Sequence, residues 1–213
     1  MEEPLLFIDV DGPLHPCTRV HFGTLFQEEY RHVTWADANG FKRYPTYPTF
    51  WIEKYRQLRQ RMIPSLDVWL AEWHGRCLRD IRDDGVKLVW ASSWFNEANR
   101  WIGPILGLGN STATLWFDDS LSPQSERARE STDPVIHRKT ILPEIQPMID
   151  YAKGRPFVWV SSEIANVDYN YMLDHVDPER FYLVKPQSHE ALTVLDLELI
   201  RFWFSKFTRK DAT

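Results

Sequence analysis

Four short apolar runs mark the chain, and the first three end abruptly in polar residues. Leu5-Leu6-Phe7-Ile8 passes into Asp9-Val10-Asp11-Gly12, Val86 to Ala91 into Ser92-Ser93, and Phe157 to Val160 into Ser161-Ser162-Glu163. Phe181 to Val184 is the fourth. Runs this short and continuous predict parallel strands buried on both faces. A shorter strand is predicted over Ala113 to Phe117. Between the runs the period changes. Leu66, Trp69, Leu70, Trp73, Cys77 and Ile81 predict a helix from Ser65, closed by Asp83-Asp84-Gly85. Further helices are predicted around Asn96 to Ile102 and over Val135 to Lys153, the latter bent near Pro143 and Pro147. A last one is expected over Ala191 to Phe207, with Leu195, Leu199, Phe202 and Trp203 on its apolar side. Strands alternating with helices predict an α/β, Rossmann-like parallel sheet with helices on both faces.

The exception to that rhythm is the stretch 13–64, which mixes aromatics, Gly and Pro. It reads as a small insertion or flap after strand one, with Arg19 to Phe22 and Tyr30 to Trp35 as two short strands. Asp118 to Asp133 reads as a loop. With 213 residues, residues 1–213 are expected to form one domain. Ten Trp are more than such a chain usually carries. Trp69 and Trp73 are assigned to the core. Trp35, Tyr44, Tyr47, Phe50 and Trp51 suit either packing of the insertion or an aromatic wall for a flat group, and packing is preferred. Arg56, Arg59 and Arg61 read as a solvated helix face.

Charge and cysteine usage narrow the setting. A net charge of −5 argues against a general basic surface for nucleic acid, leaving only a local groove open. Cys17 and Cys77 form no CxxC pair, so neither a zinc site nor a disulfide framework is expected, and a reducing cytoplasm is the simplest setting. Met1-Glu2-Glu3-Pro4 lacks the basic region of a signal peptide, and Leu5 to Val10 is too short to cross a bilayer, so no membrane partner is expected.

In open α/β sheets ligands bind beyond the carboxyl ends of the strands. There the chain offers Asp9 and Asp11, then Ser92, then Ser161 to Glu163, with Lys139 between the last two in sequence. The run LLFIDVDGPLHP resembles the first motif of the haloacid dehalogenase (HAD) phosphohydrolase superfamily, an apolar strand ending in DxDGxL. VWASSWFNEAN places Ser92 at that family's second-motif position, and Lys139 fits the third. With FVWVSSE and a late ALT before the terminal helix, the chain resembles a small, minimally capped bacterial branch of the superfamily.

The resemblance implies a mechanism. Asp9 would attack phosphorus to form an aspartyl-phosphate. Asp11 would protonate the leaving oxygen and then activate water. Ser92 would hydrogen-bond a phosphoryl oxygen, and Lys139 would balance charge. Gly12, Ser93 and His15 are the candidate substrate contacts, and His21 is a further loop histidine. Mg²⁺ would be held by Asp9, the Asp11 carbonyl and a fourth-motif acid. The small cap implies an open site for a phosphorylated small molecule, a nucleotide or a nucleic-acid end.

The fourth motif departs from the family's pattern. Ser161 and Ser162 stand where its aspartates would be, and a hydroxyl is a weaker Mg²⁺ ligand than a carboxylate. Glu163 is the nearest substitute, one position late for the strand's alternation unless the chain has turned. Asp168 is more remote. Leu115 to Asp119 also resembles a strand ending in acids but precedes Lys139, so the later strand is preferred. Two functions stay open: a Mg²⁺-dependent phosphomonoester hydrolase, and an impaired HAD-fold protein that binds a phosphorylated ligand or partner. Transfer to an acceptor other than water would use the same residues.

Overall fold

The computed structural model describes residues 3–16, 39–49, 66–118 and 141–208. In chain order these form β1 (Leu5–Ile8), β2 (Phe41–Thr46), β3 (Leu66–Ala71), α1 (Glu72–Asp83) and β4 (Lys87–Trp90). A π-helical turn over Ala98–Ile102 then leads into α2 (Gly103–Ile105), followed by β5 (Ala113–Thr114), α3 (Ile145–Ala152) and β6 (Phe157–Val160). The chain ends in α4 (Asn166–His175), β7 (Phe181–Val184) and α5 (Val194–Phe204). Lys139, Cys17, His21, Trp35, Phe50, Trp51, Arg56, Arg59, Arg61 and Asp119 lie outside the described residues. So do the strands expected at 19–22 and 30–35 and most of the loop expected at 118–133.

Five strands make one parallel sheet in the order β5-β4-β1-β6-β7. β1 is central, with Leu5 beside Lys87 on one edge and Phe157 on the other. The sheet's alternation divides the core. Leu6, Ile8, Leu88, Trp90, Val158 and Val160 pack with Leu78 and Ile81 of α1 and Leu197, Ile200 and Phe204 of α5. Leu5, Phe7, Val89, Phe157 and Trp159 pack with Ile145 and Met148 of α3 and Met172 of α4. Helices therefore cover both faces, as the doubly apolar strands require. The strand order reverses at β1: β4 and β5 extend the sheet to one side, β6 and β7 to the other.

Three helix assignments are corrected. Leu66–Ala71 is a strand, paired antiparallel with β2 from Phe41 beside Ala71 to Thr46 beside Leu66. Its apolar residues satisfy both periods, and the pairing partner upstream decides between them. The helix begins only at Glu72, burying His74, Gly75, Leu78 and Ile81. Gly75 is needed there because a Cβ would sit 2.1 Å from the Leu106 carbonyl oxygen. Trp69 and Trp73 are only partly buried, against a small cluster of Phe41, Ala71 and Ala191. Helix α3 starts after Pro143, with Pro147 in its first turn, where a missing N–H costs nothing.

The third correction concerns α5, which buries Leu197, Ile200, Trp203 and Phe204. Of the side expected to be apolar, Leu195 and Phe202 are 63% and 71% exposed. Leu199 is exposed with them, whereas Trp203, expected on the same side, is buried, so the buried stripe runs through Leu197, Ile200, Trp203 and Phe204. Its N-terminus is capped by Thr193, which accepts from the Asp196 N–H at 3.2 Å, while Asp196 accepts from the Thr193 N–H at 2.8 Å. Among the described residues no helix is long and apolar enough to cross a membrane.

Candidate active site

The strand ends set the site. Asp9 directly follows β1; its N–H donates to the Val160 carbonyl at 3.0 Å, and the Ala91 N–H donates to the Ile8 carbonyl at 3.0 Å. The carboxyl ends of β4, β1 and β6 are thus level, with Asp9 between Ala91 and Ser161 and Ser92 one residue further on, beside Val10. Past Asp9 the chain folds back on itself: the N–H groups of Leu14 and His15 both donate to the Val10 carbonyl, at 3.1 and 2.9 Å. This loop displays Asp9 and Asp11 together. Gly12 makes its tightest point, with φ at +92° and Ser162 so close that a Cβ would lie 2.1 Å from Ser162 Oγ. Only glycine meets both conditions.

Ser92 is almost fully buried beside Asp9, and its Oγ accepts the N–H groups of Val10 and Trp94, each at 3.4 Å. The Val10 N–H donates to Asp9 Oδ1 at 2.7 Å. Burial pushes the Asp9 carboxyl well above the ordinary carboxylate range. The charge of Asp11 adds to this, the Ser92 hydroxyl opposes it, and Glu144 and Glu163 add smaller upward contributions. Asp11 Oδ2 accepts the indole N–H of Trp94 at 2.9 Å. Asp9 and Asp11 therefore lie beside different residues, Ser92 and Trp94, from the same loop after β4.

His15 stands beside Asp11 and ties this loop to β3: its Nδ1 accepts the Trp69 N–H at 3.1 Å, which puts the proton of a neutral ring on Nε2. Burial lowers its pKa, and the Asp11 charge works in the opposite direction. Ser93 is exposed in the turn after Ser92. On the other side of β1, Ser161 is fully buried and its Oγ accepts the Glu163 N–H at 3.2 Å. Residues 162–163 are already in a turn, so the strand alternation no longer governs Glu163, and its charge acts on Asp9. Lys185 Nζ supports this turn by donating to the Ile164 carbonyl at 2.5 Å.

Asp168 does a different job from the ligand role considered for it. It is fully buried and accepts the N–H groups of Leu142 at 2.9 Å and Ala165 at 2.7 Å, joining the start of α4 to the segment before α3. Asp118 is exposed beyond β5 at the sheet edge, whereas β6 adjoins β1 directly. The aromatic-wall candidates separate: Tyr44 packs on the main core, and Tyr47 is 43% exposed with its ring 6.0 Å from that of Trp101.

Trp94 and Glu144 were not singled out from the sequence. Trp94 is two residues past Ser92, so the second-motif position was the available signal. Glu144, buried at the start of α3, follows no apolar strand and left none. Among the described residues no three His, Cys, Asp or Glu side chains come together as a metal-binding group. Magnesium does not require such a group, because it keeps several waters and takes one or two carboxylates. The upward pull on Asp9 from three other acids is the kind of field that a hard cation relieves.

Comparison with known proteins found no matching family model, no matching curated protein and no matching solved structure.

Proposed function

We propose that this chain is a phosphomonoester hydrolase of the HAD type, working with Mg²⁺ through an aspartyl-phosphate on Asp9. The observation that carries the reading is the placement of Asp9: at the carboxyl end of the central strand, where the strand order reverses, with Ser92 from the next strand accepting the adjacent Val10 N–H. Asp11 supports the assignment, since a second carboxyl two residues on, held by the Trp94 indole, suits proton transfer to the leaving oxygen. Asp9 would form a bond to phosphorus as the ester oxygen leaves with a proton from Asp11. Water, deprotonated by Asp11, would then attack phosphorus and release phosphate and free Asp9. Ser92 would hold a phosphoryl oxygen, Lys139 would offset charge, and Gly12, Ser93 and His15 line the approach.

Asp9, the Asp11 carbonyl and Glu163 are the groups proposed to hold Mg²⁺, which supplies charge neutralisation for the carboxylates and the phosphoryl group when bound. The substrate is a phosphorylated small molecule, a nucleotide or a nucleic-acid end, met in a reducing cytoplasm. Asp9→Asn is expected to abolish Mg²⁺-dependent hydrolysis of an aryl phosphate while unfolding cooperatively near the wild-type temperature. Retained turnover in that variant would remove Asp9 as the nucleophile.

A second reading, an impaired HAD-fold protein that binds a phosphorylated ligand or partner, is favoured by one observation. Ser161 and Ser162 replace acids, and Ser161 Oγ is occupied with the Glu163 N–H.

A further inference from the structure

Just beyond β5, Trp116 is 60% exposed, an uncommon placement for an indole. One face of it is covered. The Phe95 ring lies against it with centroids 4.9 Å apart and planes 5° from parallel, and Phe117 leans on Phe95 at 5.0 Å. At that exposure the opposite face of the indole meets solvent.

Phe95 is held in the left-handed region, with φ of 44°, where a bulky side chain is a genuine outlier. The same turn supplies the site: the Phe95 N–H donates to the Ser92 carbonyl at 3.0 Å. One tight turn thus sets Ser92 Oγ against the Val10 N–H, next to Asp9, and swings Phe95 under Trp116. Strain of this kind is retained where surrounding structure imposes it, often at ligand sites.

The platform and Asp9 also share an edge of the sheet. Leu115 continues the parallel register, its N–H donating to the Trp90 carbonyl at 2.8 Å, so Trp116 lies level with the loop that carries Ser92. β5 is two strands from β1, which places the platform roughly 10 Å from Asp9 across the sheet. A ring esterified directly to phosphate does not span that distance, whereas a ring on a sugar-sized spacer does.

We propose that Trp116, supported by Phe95, stacks a planar ring that the phosphorylated substrate carries on a spacer of sugar size. This rests on the phosphoryl-transfer reading of Asp9. An exposed π-face takes any planar ring, so the platform selects for a ring and a span rather than for one base.

The test compares three probes: adenosine monophosphate (ring and spacer), ribose phosphate (spacer alone) and phenyl phosphate (ring alone). In Trp116→Ala the KM of adenosine monophosphate relative to ribose phosphate is expected to rise about tenfold, and Trp116→Phe should restore much of the ratio. A shift for phenyl phosphate in place of adenosine monophosphate overturns the spacer. An unchanged ratio with normal turnover overturns the platform and leaves the hydrolase reading standing. Calorimetric binding of adenosine monophosphate to Asp9→Asn, with and without Trp116→Ala, separates the two claims. Trp116-dependent binding there supports the platform even if the wild type turns nothing over, in which case the hydrolase reading alone fails. Binding that ignores Trp116 overturns the platform.

Discussion

Trp94 joins the reacting residues to the core. Its indole is buried in the packing beneath the sheet's end, yet its N–H reaches Asp11 at 2.9 Å. A hydrogen bond to a charged group is worth roughly 1.5–3 kcal/mol, so Trp94→Phe is expected to lower kcat by about tenfold or more. KM should hold, because the indole N–H touches Asp11 and not the substrate. Steady-state kinetics with an aryl phosphate separates the two constants, and a change confined to KM would contradict a positioning role. Gly12 has a different constraint: it must be glycine both for its φ and for the approach of Ser162, so the serine pair is fitted against the loop that carries the aspartates. The two serines are integrated into the site's packing, Ser162 against Gly12 and Ser161 through the Glu163 N–H.

Elements are joined around the site by His74 of α1. Its Nε2 donates to the Leu192 carbonyl at 2.8 Å, and the Leu192 N–H in turn donates to the Pro13 carbonyl at 2.8 Å, next to Gly12. The ring is fully buried, packed edge-on to Phe41, and its Nδ1 has no hydrogen-bond partner. Burial lowers its pKa from 6.5 to about 4, because no partner stabilises a second ring proton. A base depressed in the folded state binds its proton more readily when unfolded. Stability from His74 is therefore complete above pH 6.5 and is lost as the pH falls toward 4, by about 3 kcal/mol in all. Urea unfolding at about pH 7 and about pH 5 should show roughly 2 kcal/mol of this loss in the wild type and a smaller one in His74→Phe. Equal losses in both would show that His74 is not the titrating group.

The elements also show what the sequence could convey. Four strands of the parallel sheet were legible as continuous apolar runs, whereas β5 is half-buried and only two residues of the stretch expected over Ala113 to Phe117. β3 was not legible, since Leu66, Val68 and Leu70 fit a strand while Leu66, Trp69, Leu70 and Trp73 fit a helix. Helix α4 gave little signal because it buries only Asp168 and Met172. Asp9, Asp11 and Ser92 were legible as polar residues at strand ends. The roles of Trp94 and Glu144 depend on where an indole N–H points and which helix start packs nearby, and no local pattern encodes either.

At the scale of the molecule, the sheet has two ends with different chemistry. The end before β6 and β7 has a cavity of about 900 Å³ lined by residues such as Pro156, Arg180, Trp203 and Lys206. It is roomy, but no group of carboxylates gathers there. At the opposite end the charges of Asp11, Glu144 and Glu163 act on the Asp9 carboxyl, at the point where the strand order reverses. Chemistry rather than cavity size makes the second end the candidate site, in keeping with where open α/β sheets bind ligands. Acidic charge is thus concentrated around the buried Asp9 carboxyl, and the proposed function requires a cation there and an attack by Asp9 itself. The most direct test is to mix the protein with Mg²⁺ and an aryl phosphate, quench in acid within the first turnovers, and map phosphoryl adducts by mass spectrometry. The account predicts an adduct on the peptide carrying Asp9, lost when Mg²⁺ is chelated and absent in Asp9→Asn. Hydrolysis that proceeds with no adduct there, or an adduct on another residue, would contradict it.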